Sequence, residues 1–113
     1  MENLLNKKCV PCEGGVPSMG PEEIKNYLSQ LKEGWEVLED HKIMKLFKFK
    51  DFKETIEFVN EVADIAEKEQ HHPDIEIHYN RVNIILWTHA IRGLSENDFI
   101  LAAKIDQLLK VGQ

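Results

Sequence analysis

The stretch Pro73-Asp74-Ile75-Glu76-Ile77-His78-Tyr79-Asn80-Arg81-Val82-Asn83-Ile84-Ile85-Leu86-Trp87-Thr88-His89 decides the fold. Ile75, Ile77 and Tyr79 alternate with Glu76 and His78, the period-two pattern of a strand. Asn80-Arg81 supplies a tight turn. Val82, Ile84, Leu86 and Thr88 then face one way and Asn83, Ile85, Trp87 and His89 the other. A strand apolar on both faces predicts a central position, covered by helices on one side and open to a partner subunit on the other.

Working outward toward the N-terminus, Asp51 is placed to cap a helix, and Phe52, Ile56, Val59, Ala63 and Ala66 recur at helical spacing up to about Gln70. Before it, Trp35 to Glu39 and Ile43 to Phe49 read as a hairpin turning at Asp40-His41. Pro21, Glu22 and Glu23 open a first helix over about Pro21 to Lys32, which Gly34 ends. Toward the C-terminus, Gly93 breaks the strand. Ser95-Glu96-Asn97-Asp98 resembles a capping box with Asp98 in the place of the usual Glu or Gln. Phe99, Ala102, Ala103, Ile105, Leu108 and Leu109 line a last amphipathic helix. The order α-β-β-α-β-β-α predicts an α+β domain over residues 20–113: a four-stranded antiparallel sheet with helices packed on one face. Residues 1–19, with Pro11, Gly14, Gly15 and Pro17, read as a flexible N-terminal arm.

The 113 residues suit one domain, with 42% apolar and 30% charged residues. The net charge of −6, from 14 basic against 20 acidic residues, argues against a nucleic-acid partner. Lys42, Lys45, Lys48, Lys50 and Lys53 lie close together and read as a solvated strand edge. No apolar run approaches the ~20 residues that span a membrane, and Met1 to Lys8 has no signal-peptide pattern, so a cytoplasmic location is expected. Cys9 and Cys12, spaced C-V-P-C, cannot complete a zinc site alone and read as a reduced pair.

Four of the five histidines, His71, His72, His78 and His89, fall close together. Imidazole titrates near neutrality, so a cluster offers both a proton donor and an acceptor. Pro73 holds His72 extended, so neighbouring His71 and His72 point apart. A turn at Asn80-Arg81 sets His72 across from His89, and three imidazoles then converge at one sheet end. His41 and His78 read as solvated loop or strand residues. Asp98 can orient His89 by accepting a ring N–H, or can serve only as the helix cap. A three-histidine zinc site is a competing reading, without an obvious fourth ligand.

The stretch Glu69-Gln70-His71-His72-Pro73-Asp74, with Tyr79-Asn80-Arg81-Val82, Thr88-His89, Gly93-Leu94-Ser95 and Asp98, resembles pterin-4a-carbinolamine dehydratases. The likeness extends to the leader and to Trp35, and so spans most of the chain. It implies the α+β fold, a homodimer or homotetramer, no metal and no cofactor. It implies a hydro-lyase, 4a-hydroxytetrahydrobiopterin dehydratase, which removes water from 4a-hydroxytetrahydropterin to give quinonoid dihydropterin in tetrahydropterin recycling. It carries the catalytic role to His71, His72 and His89, with Pro73 and Thr88 to Ile91, Ala90 included, lining the pterin site and Asp98 at an acidic position nearby. Ala90 stands where many relatives carry an acidic residue, Ile75 where some carry an aromatic, and Arg92 where a small residue is expected. Relatives also imply a non-enzymatic role as an assembly or coactivator-type interaction protein. A stoichiometric protein partner without dehydratase activity would favour that role.

Overall fold

A computed structural model describes residues 4–9 and 18–108. Its helices are α1 (Pro21–Leu28), α2 (Phe52–Glu69) and α3 (Glu96–Leu108), and its strands are β1 (Glu36–Leu38), β2 (Lys42–Lys48), β3 (Asp74–His78) and β4 (Arg81–Leu86). The strands pair antiparallel in the order β1-β2-β4-β3. The helices pack on one face, so the α+β architecture and element order are those read from the sequence.

Local signals bound the first two helices. Pro21 opens α1 at a position that needs no amide donor. Asp51 caps α2 by accepting from the Glu54 N–H, and Gln70 ends it in the left-handed region. Ile43, Phe47, Val82, Ile84 and Leu86 on the inner sheet face pack with Phe58, Val62, Phe99, Leu101 and Ile105 in one core. β4 is central in the sheet, with Val82, Ile84 and Leu86 buried on the inner face and Ile85 and Trp87 half-buried on the outer one.

Three expectations shift. The β1–β2 turn is made by Glu39 and Asp40, both at positive φ, one residue earlier than expected. The β3–β4 turn likewise falls at Tyr79-Asn80, with Tyr79 at φ 49°. The pairing then runs from His78 opposite Arg81 to Asp74 opposite Ile85. Continued two steps, this register sets Trp87, not His89, across from His72. Finally β4 stops at Leu86 rather than reaching His89.

Of the β2 lysines, Lys42 lies in the stretch paired with β1, while Lys45 and Lys48 lie beyond the end of that pairing. Lys45 points into the helix side, where its Nζ bonds Asp106 at 2.7 Å, and the Trp35 indole N–H donates to the same carboxylate at 3.0 Å. Within the stretch read as an arm, Leu4–Asn6 form a short 3-10 helix and Leu4 is buried in the core. Lys7 pairs with Glu96, and the Cys9 N–H donates to Glu69. Cys12, Gly14 and Gly15 lie outside the described residues, as does Leu109.

Candidate active site at the β4–α3 corner

The segment from β4 to α3 does not run straight. Thr88 and Gly93 exchange two backbone hydrogen bonds, Thr88 N–H to Gly93 O at 2.8 Å and Gly93 N–H to Thr88 O at 3.3 Å. His89–Ile91 between them form a 3-10 turn that ends with Arg92 at φ 50°. Gly93 is required there by close approach. A Cβ on it would stand 2.5 Å from the Ser18 Cβ.

Behind this loop Asp98 is completely buried. Its Oδ2 accepts from the Ser95 N–H at 3.0 Å and from the Thr88 hydroxyl at 2.8 Å, and its Oδ1 bonds His71 Nε2 at 2.6 Å. Because the Thr88 hydroxyl donates to the carboxylate, the Ser95 hydroxyl donates to Thr88, at 2.8 Å. The capping-box reading is thus half realised. The carboxylate at 98 reaches back to the cap N–H, while the Ser95 hydroxyl turns to Thr88. Asp98 does cap the helix, and the histidine it also holds is His71 rather than the His89 of the alternative reading. A carboxylate only accepts, so His71 donates from Nε2 and keeps Nδ1 as its remaining acceptor.

His71, His72, Pro73, Thr88, His89 and Ala90 line one open cavity of about 370 Å³, together with Gln70, Asp74, Trp87 and Asn97. The volume is in the range of small-molecule sites. Ile91 does not line it, and Asp98 stands behind it. His72 is exposed and its Nε2 bonds Glu67 at 2.6 Å, so the two adjacent histidines have separate partners. The shared cavity is reached despite the shifted register, because the 3-10 turn folds His89 and Ala90 back over the sheet end.

Trp87 is the residue that sequence reading missed. Its ring lies 4.0 Å from the His89 ring at 35°, its N–H donates to Asp74 at 3.2 Å, and Lys42 Nζ sits 4.7 Å over it. The available signal was a large aromatic one residue before Thr-His on the outer face. His41, read as a solvated turn residue, stands edge-on to Trp87 at 6.1 Å. Among the described residues no group of three His, Cys, Asp or Glu side chains is placed to hold a metal ion, so the three-histidine zinc reading has no geometry to rest on. Among them, too, no helix is long and apolar enough to cross a membrane.

Comparison with known proteins agrees with this fold. A protein of Alkaliphilus metalliredigens, provisionally named pterin-4-alpha-carbinolamine dehydratase, is 50% identical over 95% of this chain and 96% of its own. One from Rubrobacter xylanophilus with the same provisional name is 46% identical over 96% of this chain and all of its own. The crystal structure of a transcriptional coactivator/pterin dehydratase from Brucella melitensis superimposes with a TM-score of 0.77 at 34% identity, covering 82% of this chain and 99% of that one. A pterin dehydratase-like protein identified as a RuBisCO assembly factor of the alpha-carboxysome is similar with a TM-score of 0.58 at 26% identity, over 67% and 89% of the two chains. The family model described as Pterin 4 alpha carbinolamine dehydratase matches residues 17–108, and the chain belongs to that family.

Proposed function

We propose that this protein dehydrates 4a-hydroxytetrahydropterin to quinonoid dihydropterin and water, with His71 and His89 sharing the proton transfers and His72 binding the pterin. The observation that carries the reading is the cavity bounded by three imidazoles, one of them backed by a buried carboxylate. In the reaction the C4a–O bond breaks and the hydroxyl leaves as water after taking a proton. The N5 proton passes to a base, and the electron pair it leaves behind forms the C4a=N5 double bond. One imidazole must donate and another accept, each contribution being about 10²–10⁴-fold.

In this reading, the His71 Nδ1 is the accepting atom. The Asp98 carboxylate fixes the tautomer and favours the imidazolium that forms, which is the part a carboxylate plays behind a catalytic histidine. His89, on the stacked Trp87, donates toward the C4a hydroxyl. His72, tied to Glu67, orients the ring system. Pro73, Thr88 and Ala90 supply further contacts to the pterin, while Asp98 contributes through His71. The protein works in tetrahydropterin recycling, in the cytoplasm, as a homodimer or homotetramer, without metal or organic cofactor.

The test is stopped-flow decay of enzymatically generated 4a-hydroxytetrahydropterin with and without the protein. His71→Ala and His89→Ala should each lower kcat by about 10²-fold or more. Near-normal rates in both variants would end the proposal. Because one relative of this fold is an assembly factor, a protein with no dehydration activity but a stoichiometric protein partner would favour that role instead.

A further inference from the structure

A second cavity, of about 610 Å³, lies against the first and is lined by His41, Trp87, His89 and Arg92. His89 and Trp87 thus wall both cavities. The second one has the Arg92 guanidinium on its wall, while the Glu39 carboxylate stands 3.7 Å from His41 Nε2, on a chain whose net charge is −6. Arg92 is exposed and its guanidinium has no acidic partner among the described residues. Lys42 Nζ lies over the Trp87 face, and its register places it on the outer side of the sheet beside that ring. His41 is held by the Glu39 carbonyl at 2.8 Å and faces Trp87. Arg92 is also held in the left-handed region at φ 50°, its N–H bonded to His89 O at 3.2 Å, which ties the guanidinium's backbone to that of His89.

We infer that the cavity walled by Arg92, with Lys42 over the Trp87 ring beside it, is a subsite for an anionic group, carboxylate or phosphate, carried on the C6 substituent of the pterin. The inference rests on the pterin reading above. Its chemistry follows from the ring. C6 is bonded directly to N5, and N5 is bonded to C4a, where the hydroxyl leaves. A histidine serving C4a or N5 therefore stands next to the point where the C6 chain departs. In the reading above His71 serves N5 and His89 the C4a hydroxyl, and of the two His89 is the one that also walls the second cavity. An anion two or three bonds along the chain then meets Arg92, which can fork onto two oxygens, and Lys42 as a point charge.

Intrinsic pterin fluorescence gives Kd for oxidised pterins, independent of turnover. The ligands are pterin-6-carboxylate, the phosphate ester of 6-hydroxymethylpterin, and neutral 6-hydroxymethylpterin. At low salt at least one anionic ligand should bind roughly fivefold to tenfold more tightly than the neutral one, as expected for partly exposed charge pairs. That advantage should shrink in 1 M salt. The larger gain identifies carboxylate or phosphate. In the double variant Lys42→Gln/Arg92→Gln, checked for an unchanged melting curve, the anionic and neutral affinities should converge. Equal affinities for all three ligands in the unaltered protein overturn the subsite and leave the pterin reading standing. An anionic advantage that survives the double variant overturns the assignment to Lys42 and Arg92. Failure of all three ligands to bind overturns both.

Discussion

Asp98→Asn separates the chemical part of the buried carboxylate from its structural part. Three donors meet the carboxylate: the Ser95 N–H, the Thr88 hydroxyl and His71 Nε2. An asparagine can keep its amide oxygen where Oδ2 stands, retaining Ser95 and Thr88. Its NH2 then faces His71 Nε2, donor against donor. The ring resolves the conflict by moving its proton from Nε2 to Nδ1, and Nδ1 becomes a donor. The fold loses one charge-assisted bond worth about 1.5–3 kcal/mol and regains part of it as a neutral bond. The melting temperature should fall by about 5 °C or less. Activity should fall much further, by about 10²–10⁴-fold in kcat, because the accepting nitrogen is gone and no carboxylate favours the imidazolium. Asp98→Ala is the contrast. It strands two buried donors and the imidazole, costing about 3 kcal/mol and about 10 °C or more. The assay pairs stopped-flow dehydration with thermal melting on both variants. A folded Asp98→Asn protein with kcat within threefold of the parent would refute the reasoning, since His71 would then work in either tautomer.

Other outcomes follow from the same contacts. Asp106→Ala leaves the nearly buried Lys45 ammonium and the Trp35 N–H without their acceptor, and urea denaturation should show a loss of about 3–5 kcal/mol. The paired replacement Lys45→Met/Asp106→Leu should recover most of it, and no recovery would count against a buried charge as the cause. Burial, and then repulsion from Glu69, push the Cys9 thiol up to about 12. In a Cys12→Ser background its alkylation at pH 8 should be at least tenfold slower than in the unfolded chain; equal rates would contradict the burial. Hydrogen bonds from Lys7 chiefly, and from Tyr27, hold the Glu96 carboxyl below its usual range. Its stabilising effect is present above the unfolded pKa and is lost as pH falls through the lower folded one, so the melting temperature should drop on going from pH 6 to pH 3.5. Glu96→Gln should shallow that drop, and an unchanged slope would remove Glu96 from the cause.

Much of the fold was legible because it is written in periods. The α2 stripe from Phe52 to Ala66 and the alternation of β2 to β4 report which face is buried, and burial is what those elements need. Turn positions are written less strongly. Asn80-Arg81 and Tyr79-Asn80 serve nearly as well by composition, and the choice of Tyr79 at positive φ depends on strand twist and on the Asn80 side chain reaching Phe49 O at 3.2 Å. That single-residue difference moves Trp87 into the position that His89 was expected to hold, which is why the aromatic wall of the site was missed.

Long-range polar pairs carry no period at all. His71 and Asp98 are 27 positions apart, and Lys45 and Asp106 are 61 apart. Each is joined only because α3 packs beside the element that carries the partner. A buried aspartate at the third position of a helix looks like a cap, and Asp98 is one. The cap uses only Oδ2, shared with Thr88. The other oxygen is free to hold a histidine at no cost to the helix, and the carboxylate's position is already fixed by two donors. The capping box therefore does more than start α3. It holds rigidly the group on which the His71 tautomer depends, so a change at Thr88 or Ser95 should act on His71 through Asp98. Thr88→Val, which keeps the shape and removes the hydroxyl that bonds both Ser95 and Asp98, should lower kcat more than it raises KM. A change confined to KM would mean that Thr88 only touches the pterin.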